Sequence, residues 1–79
     1  MEETLFLKKF QDQLEDPNVE GLSLETKFRE IPTWDSLTGM AEQMMIKDEF
    51  SSAIPDIEFQ QSITIRDLFN LMLKYRKQS

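Results

Sequence analysis

The sequence predicts an all-α bundle of three main helices plus one short helix, with a long loop between helices 1 and 2. Three observations carry this. Apolar residues recur at helical spacing in three separate segments, and no segment sustains the alternation of a strand. The few prolines and glycines fall mostly where the helical pattern breaks. At 79 residues the chain is read as a single domain, 1-79, close to the lower limit for a core without staples.

The first segment, about Glu2 to Glu15, places Phe6, Phe10 and Leu14 at i, i+4 and i+8, with Leu7 beside them. That spacing makes one buried stripe, and Glu2 and Glu3 suit the positive N-terminal end of the helix. Residues 16–35 show no sustained period. They nonetheless carry Leu22, Leu24, Phe28, Ile31 and Trp34, too many large apolar side chains for a free linker. A loop of about 20 residues is unusual in a compact domain, so this one is expected to pack across the bundle.

Ser36 to Phe50 reads as the central helix. At about 100° per residue, Leu37, Met40, Ala41, Met44 and Met45 fall in one sector, while Ile46 and Phe50 point the other way. Such a helix is either buried between neighbours or offers one side to a partner. Asp35 or Ser36 is placed to cap it. Glu42 stands one turn before Ile46 on the second apolar side, where a charge is costly unless paired. Two resolutions are expected: a slightly rotated helix, or a carboxylate that reaches solvent at the edge.

Ser51 to Asp56 then forms a loop with a proline stop, and Asp56 to Gln61 gives one or two helical turns. Thr64 opens the last helix, with Ile65, Leu68, Phe69 and Met72 at i, i+3, i+4 and i+7. Asp67, three residues after Thr64, fits a capping box with Asp in place of Glu. Lys74, Arg76 and Lys77 complement the negative end of that helix.

Composition narrows the function. Without Cys or His the chain has no disulfide, no Cys/His metal site and no His- or Cys-based nucleophilic triad. A stand-alone enzyme is not expected. The net charge of −6 disfavours nucleic acid and anionic membranes and steers basic partners inward. No basic-then-apolar leader pattern opens the sequence and no apolar run approaches a membrane span, so the cytoplasm is the expected compartment.

Ser36 is the one convincing chemical group. A D-S-L tripeptide alone is a common helix start, but here Trp34-Asp35-Ser36-Leu37-Thr38 follows a long loop and opens a Met-rich helix ending in Asp48-Glu49-Phe50. Ile54-Pro55-Asp56 and Ile63-Thr64-Ile65 follow in order. Over nearly its full length this arrangement resembles an acyl carrier protein, of the stand-alone kind found in specialised fatty acid, polyketide or modified-lipid pathways. The resemblance implies that Ser36 receives 4′-phosphopantetheine from coenzyme A, through a phosphopantetheinyl transferase using Mg²⁺. The thiol of that arm then carries acyl intermediates as thioesters, so the chain needs no Cys of its own. It also implies a non-catalytic monomer serving acyl-loading and acyl-accepting enzymes (a ligase, ketosynthase or acyltransferase). Asp35, Leu37, Met40 and Met44 are the candidate partner-docking residues.

Other readings stay open at this stage. A peptidyl or aminoacyl carrier shares the architecture and the serine. An unmodified helical interaction module would use the Met-rich face alone. The methionines suit core filling as well as an adaptable docking surface. Gly39 costs about 1 kcal/mol relative to Ala within a helix, and is either a tolerated exposed glycine or a point of close approach. Trp34 is expected to pack the loop onto the bundle, and its indole can also shape the exit of the arm. The central helix is less acidic than in fatty-acid carriers, which shifts docking from electrostatic steering toward shape and apolar contact.

Overall fold

The structure, a computed structural model, describes residues 2–14 and 21–76. It contains α1 (Glu2–Asp12), a single 3₁₀ turn (Phe28–Glu30), α2 (Ser36–Phe50), α3 (Asp56–Gln61) and α4 (Ile65–Tyr75). Among the described residues there is no strand, only isolated antiparallel bridges between Lys27 and Thr64 and between Ser52 and Arg76. No helix is long and apolar enough to cross a membrane, again among the described residues.

The first helix is shorter than its apolar period predicts. It ends at Asp12, where the amides of Gln13 and Leu14 turn back to the carbonyls of Phe10 and Gln11 at 3.2 and 3.0 Å. These i→i+3 bonds tighten the chain into a turn, while Leu14 still reaches the core. Glu15, the expected last residue, lies outside the described residues.

Aromatic side chains form the centre of the bundle. The ring of Phe6 stands 5.4 Å from those of both Phe50 and Phe69, joining α1 to α2 and α4. Phe10 meets Phe28 at 6.3 Å, and Phe28 meets Phe59 of α3 at 5.8 Å. Burying each such ring contributes about 1.5–3 kcal/mol, and tilted ring pairs add to that.

The long loop packs down, as its apolar content predicts. Leu24, Phe28 and Ile31 are buried, and Leu22 and Trp34 lie against the core. Backbone bonds fasten the loop to the start of α4, from Ile65 N to Thr26 O at 3.0 Å and from Arg66 N to Leu24 O at 2.7 Å. Its early residues, 15–20, lie outside the described residues.

The expected capping box on α4 is present. Thr64 Oγ1 accepts from the Asp67 amide at 3.3 Å, and Asp67 Oδ2 accepts from the amides of Thr64 and Ile63 at 3.1 and 2.9 Å. Those amides, Ile63 first, hold the Asp67 carboxyl below the usual carboxylate range. Ile65, Leu68, Phe69 and Met72 all face inward. At the far end Lys74 pairs with Glu58 of α3 at 3.5 Å and Arg76 with Glu2 of α1. These cations therefore join helices as well as complementing a dipole; Lys77 lies outside the described residues.

Candidate functional site at the start of α2

Asp35, not Ser36, caps α2. Its carboxylate accepts from the Thr38 amide at 2.8 Å and from the Thr38 hydroxyl at 2.9 Å. Both bonds favour the ionised form and hold Asp35 below the usual carboxylate range, the amide contributing most. The cap also satisfies Thr38, which is buried. Ser36 becomes the first helical residue, and its side chain is left exposed.

Helix α2 carries apolar side chains on its outer side as well as on its core side. Leu37, Met40 and Met44, at i, i+3 and i+7, are 74, 59 and 63% exposed. The core side is made by Thr38, Glu42, Met45, Ile46 and Phe50. Of the two possibilities for a helix apolar on both sides, this one offers a side outward. Met45 and Met72 fill the core, whereas Met40 and Met44 do not.

Glu42 overturns both expectations made for it. The helix is not rotated to release it and its carboxylate does not reach solvent. The residue is 0% exposed, and neither carboxyl oxygen has a hydrogen-bond partner. Loss of hydration penalises the charged form and pushes the carboxyl up to about 9, so Glu42 is neutral at physiological pH.

A groove of about 430 Å³ opens beside Ser36. Trp34, Gly39 and Phe59 line its inner side, with Met40, Gln43 and Gln60 further along. The Trp34 indole is stacked on Phe10 at 6.0 Å and tilted against Phe28 at 4.9 Å, so the loop packing expected of it also builds the groove wall. Gly39 is half-buried rather than exposed. A methyl group there would stand 3.6 Å from Trp34 Cζ2 and 3.9 Å from Phe59 Cε1, ordinary contact distances, so its absence widens the groove without a steric need.

Arg29 also lines the groove, a placement that no local pattern in the sequence signals. Its guanidinium donates to the carbonyls of Phe59 and Gln60, each at 3.1 Å, and to that of Ser62. It thereby caps the C-terminal end of α3 and ties the loop to it. These partners lie about thirty positions away in sequence, beyond any local pattern. On the outer side, Gln43 Nε2 donates to Asp56 Oδ1 at 3.0 Å and links α2 to α3.

Of the sequence-predicted site residues, Asp35, Ser36 and Met40 line this one groove. Leu37 and Met44 stand outside it on the exposed side of α2, and Met44 borders a second, shallower groove with Met40 and Ile54. No protein-family model matches the chain, and comparisons with curated proteins and with solved structures give no match either.

Proposed function

We propose that this chain is an acyl carrier protein, modified by 4′-phosphopantetheine on Ser36, in a specialised fatty acid, polyketide or modified-lipid pathway. The observation that carries the reading is the placement of Ser36: an exposed hydroxyl on the first residue of a capped helix, beside an open groove.

The residues present fit the group. The start of α2 supplies a positive dipole end for a phosphodiester, and the Arg29 guanidinium lies along the same groove. Asp35 is ionised and engaged with Thr38, so it serves as the cap and not as a phosphate ligand. Among the described residues lining the groove Asp35 is the only carboxylate beside the Ser36 hydroxyl, and it is engaged with Thr38, so the transferase is expected to take the proton. In the transfer, Ser36 Oγ forms a bond to the phosphorus that carries the pantetheine of coenzyme A, the pyrophosphate P–O bond breaks, and adenosine 3′,5′-bisphosphate leaves. When bound, the arm supplies the thiol that holds acyl groups as thioesters; the chain itself orients and presents it.

The exposed row Leu37, Met40 and Met44, with Asp35 at its head, is the proposed contact surface for the transferase and for the acyl-loading and acyl-accepting enzymes. Apolar side chains this exposed are better explained by a partner than by folding. The same row supports a second reading, an unmodified interaction module. A peptidyl or aminoacyl carrier differs only in what is loaded.

Intact mass before and after incubation with coenzyme A, Mg²⁺ and a promiscuous phosphopantetheinyl transferase separates these readings. The expected result is a gain of one phosphopantetheine that Ser36→Ala abolishes. A folded sample that gains nothing with several transferases would move the assignment to the interaction module.

A further inference from the structure

Glu42 is an expense that folding does not explain. Thr38, on the same side of α2, is buried but satisfied by Asp35. Among the described residues Glu42 is the only carboxyl group with both oxygens buried and unpartnered. An apolar side chain of similar volume would fill the position without that penalty. A buried polar group left open calls for a partner that the bundle does not contain.

Its position indicates where a partner would enter. Glu42 does not line the groove itself but stands one turn behind Gly39, which forms the inner wall with Trp34 and Phe59. Residues 36 to 42 rise about 9 Å along the helix, within reach of a chain tethered at Ser36. The core of the bundle includes Met45 and Met72, whose flexible thioether chains re-pack more readily than branched side chains.

We infer that Glu42 is an internal hydrogen-bonding site for the cargo, suited to an acyl chain that carries a hydroxyl group and enters from the groove beside Ser36. This rests on Ser36 being the attachment point. A neutral carboxyl both donates and accepts, and a hydroxyl can answer both at once. A plain alkyl chain leaves Glu42 as unsatisfied as before. An amine would take its proton and leave a buried ion pair, whose desolvation must then be recovered.

The full chain would be loaded on Ser36 from coenzyme A analogues bearing octanoyl, hydroxyoctanoyl isomers or aminooctanoyl through a stable amide. Intact mass confirms loading, and thermal unfolding reads the effect. At least one hydroxyoctanoyl isomer is expected to raise Tm above the octanoyl form by about 4 °C or more. Glu42→Gln should keep part of that preference and Glu42→Leu should lose it. Equal Tm for octanoyl and every hydroxylated form would overturn the inference, as would a preference surviving in Glu42→Leu or a larger shift with aminooctanoyl. The wild-type comparison stands even if a variant fails to fold. Failure to load appears in the mass and removes the carrier reading together with this one; loading without preference removes this one alone.

Discussion

The helices α2 and α4 have opposite designs. Helix α4 buries Ile65, Leu68, Phe69 and Met72 and closes its start with a reciprocal capping box. Helix α2 exposes Leu37, Met40 and Met44 and buries a carboxyl. Helix α4 exposes one large apolar side chain, Leu73, whereas α2 exposes three and places a carboxyl beside the Met45, Ile46 and Phe50 that it buries. Of the described helices α2 alone combines a row of exposed apolar side chains with a buried, unpartnered carboxyl, the kind of local inconsistency that folding by itself does not favour.

Truncation should separate the two helices most sharply. Leu68→Ala in α4 is expected to destabilise by about 2–5 kcal/mol through the cavity it leaves. Met44→Ala on the exposed side of α2 should stay within about 0.5 kcal/mol. Urea unfolding measures both, and equal losses would break the comparison.

Glu42 gives the next largest effect, with the opposite sign. Its folded pKa of about 9 lies above the ordinary value of 4.5, so the folded state holds a proton that the unfolded chain releases. Its contribution is therefore fully present below pH 4.5 and is lost as pH rises toward 9. By pH 7 the loss is about 3 kcal/mol. Asp35 and Asp67 act in the other direction, since their carboxyls lie below the usual range and their contribution fades as acid protonates them. Stability should peak near pH 4.5, and Glu42→Leu should stabilise the protein at pH 7 by about 3 kcal/mol while flattening the alkaline slope. Denaturant midpoints across pH would show whether it does.

Smaller changes sharpen the contrast. Thr64→Ala opens the capping box and should cost about 1 kcal/mol, read from the same unfolding curves. Gly39→Ala should gain up to about 1 kcal/mol, because the added methyl meets Trp34 and Phe59 at ordinary distances. It also narrows the groove beside Ser36, so slower modification by the transferase is expected alongside the gain in stability.

Much of this architecture was legible locally. Helix α4, its box, the start of α2 and the packed character of the loop follow from spacing, capping chemistry and apolar content, all short-range properties. Even so, α1 ends earlier than its apolar period suggests, because a tightened final turn still lets Leu14 reach the core. Ser36 was legible as a candidate from its motif, while the groove it stands beside was not. Arg29 and Phe59 were not legible as groove residues, since they meet across the chain through Arg29's bonds to α3.

The sequence by itself determined where the helices form and which serine begins the central one, because caps, periods and breakers act over a few residues. Only the tertiary structure decided which side of α2 faces inward. That side chain pattern is apolar on both sides, so periodicity cannot choose between them. The choice was made by Phe6 meeting Phe50 and by Phe28 and Trp34 closing over the start of α2, contacts between segments far apart in the chain. With that orientation set, Glu42 is carried into the core and Met40 and Met44 are left outside.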